Sequence, residues 1–217
     1  AILADPQHWS SICQWEESTS TERKISLKEM VEALQATKWR GDPFSTPVLV
    51  RALTAVVPAT ELRNDAKFLE TVDKLLSQRA KLENHHAQST STYFRYLNMR
   101  ALMELAQNNV FPITNPKSQD VLFALERANM VAVDALCRQL AYHNAGDAHA
   151  FDEVVLAYNL CIYMDTSSSL AMSSLRSGKE TSVASMNLKL VRTSLEVIFG
   201  EQNEDGTWDK GEPIEIG

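Results

Sequence analysis

Residues 119–142 read Gln-Asp-Val-Leu-Phe-Ala-Leu-Glu-Arg-Ala-Asn-Met-Val-Ala-Val-Asp-Ala-Leu-Cys-Arg-Gln-Leu-Ala-Tyr, with no glycine and no proline among them. Apolar side chains recur every three to four positions along this stretch, which is the spacing of an α-helix that is buried on most sides. Asn129 marks a position where this helix could be broken. The stretch predicts a protein that is built on helices.

The rest of the chain repeats this helical pattern in two versions. Amphipathic segments with a charged face (26–37, 65–81 and 183–199) alternate with denser apolar segments (46–57, 92–107, 119–142 and 151–164). This alternation is expected when outer helices take turns with inner ones. Seven glycines and seven prolines in 217 residues are too few for a turn-dense β fold. The predicted fold class is all-α.

The segments that precede the apolar helices resemble one another, which indicates an internal repeat. Arg51 and Arg100 stand at matching places within two apolar helices, and a period of roughly 50 residues with two helices per unit is typical of helical repeats. We therefore predict antiparallel helix pairs arranged as a partial α/α toroid or a helical solenoid. The whole chain, 1–217, is interpreted as a single helical-repeat domain.

Two segments depart from this pattern. Residues 165–186 contain eight serines and two threonines with little apolar periodicity, and we predict a mobile loop, or else a weak helix flanked by loops. Such a segment could also serve as a lid or carry regulatory phosphorylation. Residues 208–217 are interpreted as the start of a truncated further repeat, so we expect the chain to be part of a larger protein.

Composition excludes several classes of function. A net charge of −7 opposes binding to nucleic acid, which requires a basic surface. No apolar run reaches the roughly 20 residues that a membrane span needs. Cys13, Cys137 and Cys161 are far apart and odd in number, which favours a reducing, cytoplasmic location over a disulfide framework. No cofactor is predicted.

Residues 202–208, Gln-Asn-Glu-Asp-Gly-Thr-Trp, resemble the Gln-x-x-Asp-Gly-x-Trp motif of squalene cyclases and related terpenoid cyclases. The motif occurs more loosely in the α/α-toroid folds that include protein prenyltransferases. The motif positions are Gln202, Asp205, Gly206 and Trp208, and a degenerate second copy carries Gln35 and Trp39. In that family the glutamine caps a helix and stacks beside the tryptophan. The resemblance, which covers only a few tens of residues, therefore implies a structural role for these positions and a toroid-like fold.

The resemblance does not extend to the catalytic residues of this family. Protonation-initiated cyclases carry Asp-x-Asp-Asp-Thr-Ala before an Arg-x-Leu helix, whereas residues 42–47 here read Asp-Pro-Phe-Ser-Thr-Pro. Phe44 and Ser45 stand where aspartates are expected, and a phenylalanine cannot donate the proton. No Asp-Asp-x-x-Asp cluster is present, and Cys137 with His143 or His149 matches no known zinc-ligand spacing. We therefore do not predict a catalytic residue or a metal site.

Two groups of residues remain as candidates for ligand binding. Asp147, His149 and Asp152 belong to a run of metal-ligand residue types, although either aspartate could equally cap the helix that follows. Arg51 and Arg100 lie inside apolar helices, where a guanidinium needs a partner. They would either pair with a carboxylate of an outer helix or clamp an anionic ligand.

Two hypotheses about function follow. In the first, the chain is a non-catalytic helical module that serves as an interaction or sensing domain of a larger intracellular protein. An incomplete ring leaves an open apolar flank, and a protein partner or a neighbouring domain would cover it. In the second, the chain is a fragment of a terpenoid-cyclase-like or isoprenoid-handling enzyme whose catalytic part is missing or degenerate.

Overall fold

The computed structural model describes residues 44–83, 89–177 and 186–202, which form seven α-helices and no β-strand. The helices are α1 (Ser45–Val56), α2 (Ala59–Leu62), α3 (Ala66–Glu83), α4 (Ser89–Gln107), α5 (Pro116–Asn144), α6 (Glu153–Ser177) and α7 (Leu188–Gly200). The predicted all-α class is confirmed. The helix predicted over 26–37 and the segment 208–217 lie outside the described residues.

The described residues divide into two compact units. The single helical-repeat domain stays a prediction. Of the described residues, 44–81 and 97–124 belong to the first unit, and 82–83, 89–96, 125–177 and 186–202 belong to the second. The boundaries fall inside α3, α4 and α5. Helix α5 has 29 residues and is therefore about 43 Å long, which exceeds the roughly 30 Å diameter of a small domain. Helices α3, α4 and α5 each contribute residues to both units.

The first unit is held by apolar packing together with hydrogen bonds between its helices. Gln78 Nε2 of α3 donates to Thr46 Oγ1 of α1 at 3.2 Å, and Asn98 Nδ2 of α4 donates to the Leu75 carbonyl of α3 at 3.0 Å. Both bonds are buried, where an unpaired amide would be costly. The fully buried apolar side chains of this unit include Leu53, Leu62, Phe68, Leu75, Met99, Leu102 and Leu105.

The end of α1 follows from its sequence. Val57, the residue before Pro58, has an extended conformation with ψ of 134°. A proline disfavours helical geometry in the residue that precedes it, so the helix stops at Val56, as the pattern over 46–57 predicts. Pro47 is tolerated in the first turn because its missing N–H would have no partner within the helix there.

The second unit is built around α6. Helices α6 and α7 pack against each other, and the Tyr163 hydroxyl of α6 accepts the backbone N–H of Asn187, which caps α7, at 2.7 Å. Asn129 of α5 bonds to α6 from another side. The largest fully buried side chains of this unit are Leu125, Leu136, Leu156, Ile162 and Leu170.

The serine-rich segment is helical where the structure describes it. Residues 165–177 continue α6 as a regular helix, so the weak-helix alternative fits this part and the mobile loop does not, and 178–185 lie outside the described residues. Thr166 Oγ1 donates to the Ile162 carbonyl at 2.6 Å, and Ser168 Oγ donates to the Met164 carbonyl at 3.0 Å. The hydroxyls thus bond within the helix instead of competing with it.

Helix α5 runs without interruption through Asn129, where a break was considered. The asparagine side chain is buried and bonds across to α6, so it joins two helices and leaves the backbone of its own helix intact. Within the part of the chain that the structure describes, none of the helices combines the length and the apolar character that a membrane crossing requires.

Candidate functional site

Asp147, in the run of histidines and carboxylates after α5, stabilises the turn that leads to α6. Gly146 has a φ of 68°, a left-handed conformation that glycine adopts readily, and it ends α5. The Asp147 backbone N–H then donates to the Tyr142 carbonyl at 3.0 Å. Asp147 Oδ1 accepts the backbone N–H groups of His149 and Ala150, both at 3.2 Å. Asp147 therefore stabilises a turn, and His149 is an exposed member of it.

Asp152 is the N-cap of α6. Its Oδ1 accepts the backbone N–H of Val155 at 2.9 Å, while its own backbone N–H donates to Gln139 Oε1 at 2.8 Å. Glu153 occupies the first turn, where a negative charge is favoured by the helix dipole. The capping alternative from the sequence thus applies to Asp152. In the described ranges, no three His, Cys, Asp or Glu side chains are grouped as metal ligands would be.

His143 joins the end of α5 to the end of α7. Its Nε2 lies 3.2 Å from Glu201 Oε1, and its ring meets Phe151 edge-on at a centroid distance of 5.2 Å. The partner of His143 is thus a carboxylate at the C-cap of α7. This contact links two helix ends within the second unit.

The two candidate arginines lie on α1 and α4 in the first unit. Arg51 Nε donates to Glu104 Oε1 at 2.7 Å, and both side chains are partly buried. The pairing alternative therefore applies to Arg51, but its partner lies on α4, which the sequence predicted to be an inner helix. Arg100 is half-buried on the same helix.

Only one position of the resemblance motif is described. Gln202 follows α7, is half-buried and donates its backbone N–H to the Phe199 carbonyl at 3.3 Å. The other motif residues lie outside the described residues: Asp205, Gly206, Trp208, Gln35 and Trp39. Phe44 and Ser45, which stand at the aspartate positions of the cyclases, form the N-cap and the first residue of α1.

Five exposed residues form a surface on α6 that sequence reasoning missed. We call them the α6 outer face: Cys161, Met164, Ser168, Ala171 and Met172. The steps from Cys161 to Met164, Ser168 and Ala171 are three or four residues, and Met172 follows Ser168 by four, which places all five on one side of the helix. Met164 and Met172 are 37% and 51% exposed, which is high for large apolar side chains.

The α6 outer face is almost free of charge and of unsatisfied polar groups. Between Glu153 and Arg176 the only charged residue of α6 is Asp165, which is half-buried. Ser168 is the one hydroxyl on the face, and it donates to the Met164 carbonyl at 3.0 Å. Because this bond satisfies its donor inside the helix, little polar hydration would be lost if the face were covered.

The opposite side of α6 fixes the orientation of the outer face. Asn129 Nδ2 donates to Thr166 Oγ1 and to Ser167 Oγ, both at 2.9 Å, and all three residues are buried. A rotation of α6 would break both bonds and leave these polar groups unpaired in the core, which would cost several kcal/mol in total. The hydrogen bonds on the buried side of α6 therefore keep Met164 and Met172 on its exposed side.

Aromatic side chains extend this surface at one end. The Tyr158 ring lies 5.6 Å from the rings of both Tyr93 and Tyr96, in tilted geometry, and all three are half-buried. Partial burial, followed by the neighbouring tyrosines and Cys161, raises the pKa of the Tyr158 hydroxyl. The phenol therefore stays neutral at physiological pH, and this end of the surface adds no charge.

The sequence contains one feature that indicates the α6 outer face, although the helical pattern itself does not. Residues 151–164 are a dense apolar segment that predicts an inner helix, and the serines that follow predict a mobile loop or a weak helix flanked by loops. The near-absence of charge from Val154 to Leu175 was the usable signal, since a helix at a protein surface ordinarily carries charged side chains on its outer side.

Comparison of the chain with protein-family models, with curated proteins and with solved structures finds no match.

Proposed function

We propose that this chain is a non-catalytic, α/α-toroid-like helical module that acts by binding another polypeptide, as an interaction domain of a larger intracellular protein. The observation that carries the proposal is the α6 outer face, on which Met164 and Met172 are exposed with no charged residue between them other than the half-buried Asp165. Methionine side chains are flexible and polarizable, and they recur on surfaces that bind other chains.

The energetics favour covering this face. Burying the exposed part of two methionines contributes on the order of 1–3 kcal/mol, since a fully buried methionine contributes about 1.5–3 kcal/mol. The five residues of the face carry no charge that would have to be desolvated, and the Ser168 hydroxyl keeps its bond to the Met164 carbonyl. A surface of this kind gives net binding energy when a partner of complementary shape packs against it.

The polar candidates support binding over catalysis. Asp152 caps a helix, Asp147 holds a turn and Arg51 is paired with Glu104, so each has a structural task. The toroid or solenoid arrangement stays a prediction that rests on the alternation of amphipathic and apolar helices. The cytoplasmic location likewise stays a prediction, supported by the exposed thiols of Cys137 and Cys161.

The test places a photoreactive group on the face itself. A benzophenone maleimide is attached to Cys161 in the variant C13S/C137S, and the labelled chain is irradiated alone and in an extract of its source cells. We expect a discrete polypeptide adduct that is lost in M164K/M172K and retained in M130K, a matched change at an exposed methionine of α5. Absence of any adduct, or equal labelling in all three variants, contradicts the proposal.

A thermal-shift titration separates this proposal from isoprenoid chemistry. We expect farnesyl and geranylgeranyl diphosphates to leave the melting temperature unchanged. Stabilisation that grows with diphosphate concentration would contradict a purely binding role, because a ligand that binds only the folded state raises the melting temperature by mass action.

A further inference from the structure

We infer that α7 is a detachable helix, which leaves α6 and unfolds as one unit while α5 and α6 stay folded. It would thus act as a conformational switch within the second unit. The inference does not depend on the proposed function, because it concerns the side of α6 that α7 covers and not the α6 outer face. Three observations support it: the shallow burial of α7, the buried hydroxyl of Ser194, and the position of two polar contacts at the ends of the helix.

Few side chains of α7 are buried. Val191 and Ser194 are the buried residues among its 13, whereas α1, with 12 residues, has eight buried ones. Leu188 and Phe199, near the two ends of α7, are 73% and 61% exposed. Because apolar burial supplies most of the free energy that docks a helix, α7 is held more weakly than a core helix of similar length.

Ser194 weakens the docked state of α7 further. Its hydroxyl is fully buried and has no hydrogen-bond partner among the described residues. Burying a polar group without a partner costs free energy, and this cost is recovered when the group returns to water. One of the two buried residues of α7 therefore favours release of the helix.

Two polar contacts hold α7 at its ends. At the start, the backbone N–H of Asn187, the N-cap, donates to the Tyr163 hydroxyl of α6 at 2.7 Å. At the other end, Oε1 of Glu201, the C-cap, lies 3.2 Å from His143 Nε2 of α5. The two contacts are separated by the length of α7, about 20 Å, so their contributions to docking should add.

Release and unfolding of α7 are coupled. An isolated helix of 13 residues is marginally stable in water, so α7 loses its helical hydrogen bonds when it leaves α6. Helices α5 and α6 are longer, with 29 and 25 residues, and Asn129 joins them through buried bonds to Thr166 and Ser167. The opening therefore stops at α7, and it uncovers the Tyr163 hydroxyl and the His143 ring.

The first test is native-state hydrogen exchange of the full chain, followed by mass spectrometry. The amides of 191–199 should exchange together, at least about tenfold faster than those of 157–170 in α6. Relative to α6, exchange in α7 should be about tenfold faster in Y163F/E201A and several-fold slower in S194A. Lys189→Ala, at an exposed position of α7, is the matched control and should change the rate by less than about twofold. Equal protection of α7 and α6, or protection that falls gradually from the centre of α7 to its ends, overturns the inference.

The second test uses a buried thiol as a probe of the opening. In the background C13S/C137S/C161S, S194C places a thiol on the buried side of α7, and S167C places one on the side of α6 that bonds to Asn129. S194C should react with a small thiol reagent at least about tenfold faster than S167C, because release of α7 uncovers only the first. Equal rates would show that both thiols wait for global unfolding, which overturns the inference. Circular dichroism confirms that each variant is folded, and hydrogen exchange of the unmodified chain decides alone if one is not.

Discussion

The side-chain amide of Asn129 on α5 donates to the hydroxyl of Thr166 on α6 at 2.9 Å, and both residues are buried in the core. Ser167 accepts from the same amide at the same distance. Polar contacts of this kind fix one helix against another more tightly than apolar packing does, since they have a single satisfied geometry. They set the rotation of α6 and hence the residues that it exposes.

Replacing Asn129 with alanine should lower the free energy of unfolding by about 2–3 kcal/mol, because it removes two buried hydrogen bonds and leaves a cavity. Urea denaturation followed by circular dichroism measures the change. Asn108→Ala, at an exposed position after α4, is the matched control and should change the free energy by less than about 0.5 kcal/mol. Equal effects at the two positions would contradict the role given to Asn129.

Removing either of two buried hydroxyls of the second unit should change the free energy of unfolding, but in opposite directions. Ser194 Oγ is fully buried and has no hydrogen-bond partner among the described residues, so Ser194→Ala should raise the free energy of unfolding by up to about 1 kcal/mol. Thr166 is bonded to Asn129 and to the Ile162 carbonyl, and Thr166→Val should lower it by about 1–2 kcal/mol. A destabilised Ser194→Ala variant would show that this hydroxyl has a partner in solution.

The Arg51–Glu104 pair should contribute to stability in a salt-dependent way. A double-mutant cycle with Arg51→Ala and Glu104→Ala should give a coupling energy of about 1 kcal/mol, modest because both side chains are partly exposed. The coupling should fall as sodium chloride is raised from about 50 mM to 1 M, since salt screens partly exposed charges. A coupling near zero at low salt would exclude the structural role of Arg51.

The elements that the sequence predicted well are those with strong periodicity. The segments 46–57, 65–81 and 92–107 appear as α1, α3 and α4 with ends shifted by a few residues. Here the apolar spacing matches the helix period, and Pro58 marks the end of α1. Local pattern was sufficient for these helices because their tertiary contacts agree with it.

Tertiary contacts overrode the local pattern in α6. Serine and threonine ordinarily favour turns, so the run from Thr166 onward predicts a mobile loop or a weak helix flanked by loops. Asn129, 37 residues earlier, supplies the partner that makes Thr166 acceptable on the buried side of α6. No local pattern reports a contact at that separation, and the exposed methionines of α6 were missed for the same reason.

The polar candidates show a different limit of sequence reasoning. The residue type of Asp152 agreed with both a metal ligand and a helix cap, and its hydrogen bond to the Val155 N–H identifies it as the cap. Arg51 was expected to pair with an outer helix, yet Glu104 lies on a helix interpreted as inner. Residue type indicated that each group needs a partner, but identifying that partner required the fold.

Oxidation of the methionines by dilute hydrogen peroxide, followed by mass spectrometry, tests the exposure of the α6 outer face most directly. In dilute solution, Met164, Met172 and Met130 should form sulfoxides faster than Met99 and Met103, which are 2% and 4% exposed. Oxidation at Met164 and Met172 as slow as at Met99 would contradict the assignment of the α6 outer face.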